Sequence, residues 1–200
     1  TVYYKNLKQL KTLIMLFKQL LLAISFLTPL LIYAGNNVTL SSAPSMSYAR
    51  EGHEAKVLND GRVIVFGGDD GVWSNMTLYS NTEIFNPKTN SWSAGPSMNV
   101  ERRNHQSVVL DNGKILTAGG INSVGETLNS CEIYDPELNT WTYTGSSLMY
   151  HTNGALIKLR DGRVLYAGGN SKKVEIYDPV TEKWSFVSEM NDLQYGYYIR

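Results

Sequence analysis

The side chains of this 200-residue sequence with the widest chemical repertoire are His53, His105, His151 and Cys131. A histidine acting as a general base needs a neighbour that orients it, and a metal site needs several ligands brought together. His53 and His105 each stand three positions after an arginine, Arg50 and Arg102. A residue that recurs in this way belongs to a repeated scaffold before it belongs to a site, so both are expected to make structural hydrogen bonds. Glu83, Glu132 and Glu175 recur in the same manner and read as parts of the repeat. The three histidines share no local cluster, so no metal is expected. The sequence holds no HExxH, CxxC, P-loop or GxSxG, and its glycine pairs lack the following helix of a dinucleotide fingerprint. No catalytic residue and no cofactor is expected within it. One cysteine excludes an internal disulfide.

These residues sit in a repeat. NDGRVIVFGG (59–68) recurs as DNGKILTAGG (111–120) and RDGRVLYAGG (160–169). TEIFNPKTNSW (82–92) recurs as CEIYDPELNTW (131–141) and VEIYDPVTEKW (174–184). A third element, PSMSYAREGH (44–53), returns as PSMNVERRNH (96–105) and more loosely as SSLMYHTNG (146–154). The glycine pairs Gly67–Gly68, Gly119–Gly120 and Gly168–Gly169 stand 52 and 49 residues apart, and Trp92, Trp141 and Trp184 stand 49 and 43 apart. Each unit predicts four short antiparallel strands. Asp-Gly or Asn-Gly turns the first strand into the second, because Gly accepts φ > 0. A β-branched apolar run forms the second strand, and the glycine pair ends it where chains pass closely. Asn-Pro or Asp-Pro ends the third strand, and the tryptophan lies on the fourth. Helical periodicity appears nowhere after residue 35. Four antiparallel strands in roughly 50 residues is the pattern of a propeller blade.

The Gly-Gly, Glu-Ile-(Phe/Tyr)-(Asn/Asp)-Pro and Trp elements at this spacing resemble the kelch repeat, over residues 44–190. The resemblance implies an all-β, kelch-type β-propeller, distantly similar to the propeller of galactose oxidase. Three four-stranded blades are expected at about 44–95, 96–144 and 145–188, with the start of another at 189–200. Phe85, Tyr134 and Tyr177 are expected to pack between blades. Residues 39–46 align with 91–98, with Leu40 in the register of Trp92. The segment 35–43 is therefore expected to supply an outer strand, which in kelch-like rings closes the last blade. Three blades are fewer than the six or seven that kelch rings resemble, so the sequence reads as a fragment of a larger ring, monomeric when complete. Some kelch-like proteins are enzymes: copper radical oxidases resembling galactose oxidase, and sialic acid mutarotases. The first need a cysteine near a tyrosine in a face loop, whereas Cys131 is expected within a strand next to Glu132. Tyr195, Tyr197 and Tyr198 stand where a ligand tyrosine could sit, without a visible partner.

Topology restricts where a ligand could bind. In an up-and-down blade the first and third turns share one face, and the second and fourth connections share the other. The tight turns are uniform. The second connection varies: 69–81, 121–130 and about 170–173. Loops carry function on a rigid scaffold, so this variable face is the expected binding face. The candidate contacts are Asp69, Asp70, Trp73, Tyr79, Arg102, Arg103, Tyr150 and His151. A Trp in a polar loop such as Trp73 suits a sugar face or a protein hot spot.

Residues 20–34, LLLAISFLTPLLIYA, follow Lys5, Lys8, Lys11 and Lys18. This reads as a secretory signal over 1–34, with a retained membrane anchor as the alternative. The expected location is secreted or periplasmic, or outside the cytoplasm on an anchor, with membrane contact through this segment alone. Residues 1–49 hold those four lysines and no acid, which leaves 14 basic residues against 18 acidic in the remainder, a net charge of about −4. No nucleic-acid footprint follows from such a balance. Asn37-Val38-Thr39 and Asn75-Met76-Thr77 are glycosylation sequons if the source is eukaryotic. The expected function is an exported binding module for a protein or glycan ligand. The alternative is an exported carbohydrate-active enzyme whose catalytic residues lie elsewhere.

Overall fold

The computed structural model describes residues 30–31, 41–72 and 74–192. The chain divides into two units, Thr1–Ser45 and Met46–Arg200. In the first, β1 (Leu30–Leu31) pairs antiparallel with β2 (Ser41–Ser42), Leu30 opposite Ser42. Most of the expected signal segment, residues 35–40 of the expected closing strand, Asn37, Trp73 and the tyrosines of 193–200 lie outside the described residues.

The second unit holds three four-stranded antiparallel sheets, each built from consecutive strands. Blade 1 is β3 (Glu54–Val57), β4 (Val63–Phe66), β5 (Thr82–Asn86) and β6 (Ser91–Gly95). Blade 2 is β7 (Gln106–Val109), β8 (Ile115–Ala118), β9 (Cys131–Asp135) and β10 (Thr140–Thr144). Blade 3 is β11 (Ala155–Lys158), β12 (Val164–Ala167), β13 (Lys173–Asp178) and β14 (Lys183–Glu189), with a bulge between Val174 and Glu175. No helix among the described residues is long and apolar enough to cross a membrane.

Local chemistry explains each turn. In blade 1, Leu58 N donates to Arg62 O at 2.8 Å and Gly61 N to Leu58 O at 2.9 Å, while Asp60 Oδ1 accepts Arg62 N at 3.0 Å. Asn112–Gly113 and Asp161–Gly162 build the same turn in the other blades. The third turn is held by the residue before the proline: Asp135 Oδ1 accepts Glu137 N at 2.9 Å and Leu138 N at 3.1 Å.

The core lies in the seams between blades. Leu58, Ile64, Phe66 and Ile84 of blade 1, with Met98, pack on Ile115, Tyr134 and Trp141 of blade 2. Leu110, Leu116, Ala118, Cys131 and Ile133 of blade 2 pack on Val164, Tyr166, Tyr177 and Trp184 of blade 3. Burying each such large apolar side chain contributes roughly 1.5–3 kcal/mol. The bulk sits differently in the two seams: Phe66 of blade 1 fills the first, whereas in the second Tyr166 of blade 3 packs with the small Ala118 of blade 2. The glycine pairs stitch the seams: Gly68 N donates to Arg102 O at 2.9 Å and Gly120 N to His151 O at 2.8 Å.

Candidate functional site

One structural system recurs in every blade and claims several of the candidate residues. The glutamate of each third strand is buried and faces back onto the segment that enters its own blade. Glu83 accepts Ser47 N at 2.7 Å and Tyr48 N at 3.3 Å, and Glu132 accepts Asn99 N at 2.7 Å and Val100 N at 3.2 Å. Glu175 accepts Leu148 N at 2.7 Å. A cation closes the clamp. Arg50 Nη2 meets Glu83 Oε1 at 3.1 Å and Arg102 Nη2 meets Glu132 Oε1 at 2.9 Å. Each arginine also binds the first glycine carbonyl of its pair, Gly67 O at 2.9 Å and Gly119 O at 2.7 Å. Burial pushes the Glu83 carboxyl up, but the Ser47 amide and the Arg50 guanidinium outweigh it and hold the group below its ordinary range.

Arg102 and His151 are therefore not open to a ligand. Arg102 is fully buried in its clamp. His151 falls in the register of Arg50 and Arg102, and its ring nitrogens face Gly168 O and Glu175 Oε1, each at 3.2 Å. Asp69 is also buried; it accepts Gly71 N at 2.9 Å and meets Arg103 Nη1 across the blade seam at 3.4 Å. These three side chains are built into the scaffold. For His105 the expectation of a structural hydrogen bond is corrected as well. His105 is fully buried against Phe66, and both of its ring nitrogens are without a hydrogen-bond partner. Its role is packing, and burial first, then the Arg102 charge, holds its pKa well below the ordinary imidazole value. Gly154 replaces it in blade 3 because Tyr166 fills that space: a Cβ on Gly154 would meet the Tyr166 ring.

Among the described residues, Asp70, Tyr79 and Tyr150 reach the surface on the long-connection face. The second connection of blade 1 is drawn into a small hairpin by the bridges Glu51–Asp69 and Asp69–Leu78. Asp70 Oδ1 accepts Val72 N and Thr77 N, each at 3.1 Å, so it pins the loop, and these bonds lower its pKa. Tyr79 lies edge-on to Tyr48, with ring centroids 5.3 Å apart. The buried Arg50 guanidinium lies 5.1 Å from the Tyr79 ring centre and 5.5 Å from that of Tyr48. Burial raises the Tyr79 phenol pKa, and the nearby Asp70 charge adds to the rise. Tyr150 is exposed at 58%.

Tyr48 escaped the sequence reading, although a signal was present. Tyr48 occupies the place of Val100 in the next repeat, and Tyr79 that of Leu128. Blade 1 thus departs from the repeat by presenting two phenols where blade 2 presents two aliphatic side chains.

The opposite face has its own feature. A cavity of about 420 Å³ opens between the tight turns of blades 1 and 2, lined by Asn59, Asp60, Arg62, Lys114, Asp135 and neighbours. Four of its charges pair with one another, Arg62 with Asp60 at 2.7 Å and Lys114 with Asp135 at 2.9 Å, and Glu137 adds a further carboxylate to the lining. No group of three or more His, Cys, Asp or Glu among the described residues is arranged to hold a metal ion.

Comparison with known proteins bears on the scaffold. The family described as Kelch motif matches residues 55–99, 102–146 and 161–191, more than half of the chain. A solved structure titled "Structure of YjhT" superposes with a TM-score of 0.67 at 17% sequence identity, covering 80% of this chain. The chain spans 58% of the length of that structure. No curated protein matches the sequence.

Proposed function

Because the chain belongs to the kelch-repeat family of β-propellers, we propose that it acts as a binding module, engaging a protein or glycan through its long-connection face. The observation that carries this reading is the Tyr48–Tyr79 pair. The two phenols stand on that face at positions where the neighbouring repeat is aliphatic, so they are not required by the blade. Tyrosines offer a flat apolar ring with a polar end, which suits a sugar face or a peptide surface. Exposed Tyr150 extends the same chemistry towards blade 3. Export is part of the proposal, supported by the apolar run 20–34 behind four lysines.

Probing glycan arrays and surface-protein arrays with the purified chain tests the reading and separates the two ligand classes. A hit that Tyr48→Ala or Tyr79→Ala weakens tenfold or more, with thermal stability retained, supports it. Hydrogen peroxide released from sugars by the copper-loaded chain would overturn it in favour of an oxidase.

A further inference from the structure

We infer that the ligand of the Tyr48–Tyr79 pair is cationic, a lysine- or arginine-rich polypeptide segment lying across the long-connection loops of blades 1 and 2. This partner class rests on the binding reading proposed above. Among the described residues of these loops, every arginine is already engaged. Arg50 meets Glu83 at 3.1 Å, Arg102 meets Glu132 at 2.9 Å and Arg103 meets Asp69 at 3.4 Å. The other carboxylates of the same loops have only neutral partners. Asp70 accepts the amides of Val72 and Thr77, Glu101 Oε1 accepts Ser123 Oγ at 2.6 Å, and Glu126 Oε2 accepts Asn122 Nδ2 at 3.1 Å. Glu51 is exposed, with its carboxyl group over Gly71, where a Cβ would come within 3.3 Å of Oε1. No lysine lies in these loops to balance them.

The opposite face is different. There Arg62 pairs with Asp60, Lys114 with Asp135, Lys158 with Asp111 and Arg163 with Asp161, so acid and base are interspersed. Charge of one sign on one face steers a partner of the other sign towards it. The tyrosines stand within that field. Tyr48 is 45% exposed, and the Asp70 carboxylate acts electrostatically on the Tyr79 phenol. The face of an aromatic ring attracts a cation, and a guanidinium also stacks on it. Arg50 lies 5.1 Å from the Tyr79 ring centre, but its charge is compensated by Glu83 and both side chains are buried. It therefore does not reverse the sign of the surface. The carboxylates stand on separate loops of two blades, so a small cation meets few of them. A polypeptide carrying several cations meets them together, and the contacts then reinforce one another. An acidic peptide or an anionic sugar meets like charge here.

Fluorescence anisotropy of labelled octa-arginine, a neutral Gly-Ser peptide and a glucosamine oligomer with the purified chain tests this. Octa-arginine is expected to bind, about tenfold or more weaker in roughly 0.5 M salt than in roughly 0.05 M, and the neutral peptide is not. Asp70→Asn combined with Glu51→Gln keeps both shapes and the acceptor for the loop amides. It is expected to weaken octa-arginine about fivefold or more. Glu137→Gln with Glu182→Gln removes equal charge from the opposite face and is expected to change binding less than about twofold. Tyr48→Ala is expected to weaken binding roughly threefold and Tyr48→Phe to preserve it, since the ring face meets the cation. Equal losses from the two charge-removing pairs overturn the inference, as does binding that Tyr48→Ala leaves intact. A glucosamine oligomer held more tightly than octa-arginine overturns the polypeptide class. A neutral or acidic ligand lost in Tyr48→Ala but indifferent to Asp70→Asn with Glu51→Gln overturns the cationic class and leaves the binding reading standing.

Discussion

Arg102 and Glu132 form an ion pair at 2.9 Å with neither side chain exposed, and the same carboxylate holds the amides of Asn99 and Val100. Removing one partner of such a pair leaves a buried charge without compensation. Arg102→Leu is expected to cost about 3–5 kcal/mol of unfolding free energy, read by urea denaturation. Arg102→Lys is expected to recover little, because a single ammonium cannot reach the Gly119 and Ser130 carbonyls and the carboxylate together. Wild-type stability in Arg102→Leu would refute the clamp.

His105 predicts acid sensitivity. Its folded pKa is depressed by burial, so near and below the ordinary imidazole value of about 6.5 the unfolded chain binds a proton that the folded chain does not. Stability is therefore present above that value and is lost as pH falls, with a slope approaching 1.4 kcal/mol per pH unit for one proton. His105→Leu is expected to flatten the dependence between pH 7 and 5, measured as denaturation midpoints. An unchanged slope would show that other groups dominate.

Cys131 lies in β9 with its side chain in the seam between blades 2 and 3. Burial pushes its thiol up to about 11. Thiol reagents at pH 8 are expected to leave it unmodified in the folded chain and to modify it promptly in denaturant. Fast labelling of the native protein would mean that this seam opens readily.

Two glycines separate backbone strain from close approach. Both Gly61 and Gly119 have positive φ, +88° and +69°. A Cβ on Gly61 meets nothing within 4 Å, whereas one on Gly119 collides with His151 O and approaches the Tyr166 hydroxyl. Gly61→Ala is expected to cost about 1–2 kcal/mol from the left-handed conformation alone. Gly119→Ala is expected to cost clearly more, since the seam must also shift. Equal midpoints for the two variants would contradict this.

The blades were legible in the sequence because their cues are local and repeated. Asp-Gly and Asn-Gly set the first turn, the residue before Pro87, Pro136 or Pro179 sets the third, and Trp92, Trp141 and Trp184 mark each fourth strand. Which side chains point inward was less legible. Arg102 and Arg103 are adjacent and alike, yet successive residues of extended chain face opposite ways. One is sealed under Glu132 and the other reaches across to Asp69. Asp69 and Asp70 divide in the same manner, one buried and one pinning its loop. The register of His151 was legible: it stands three positions before Gly154, as Arg50 and Arg102 stand before His53 and His105. Its role was not, because only the shared partners, a glycine carbonyl and a third-strand glutamate, show that the imidazole takes the arginine's place in the clamp.

The proposed ligand site is the long-connection face, not the cavity among the tight turns. The direct measurement is the affinity of an array-identified ligand for two sets of variants. Tyr48→Ala and Tyr79→Ala alter the first face, while Arg62→Ala and Lys114→Ala alter the cavity. Affinity is expected to drop tenfold or more in the tyrosine variants and to change less than about twofold in the cavity variants, about 1.4 kcal/mol against under about 0.5 kcal/mol. The reverse pattern, with the cavity variants losing the ligand and the tyrosine variants keeping it, would contradict it.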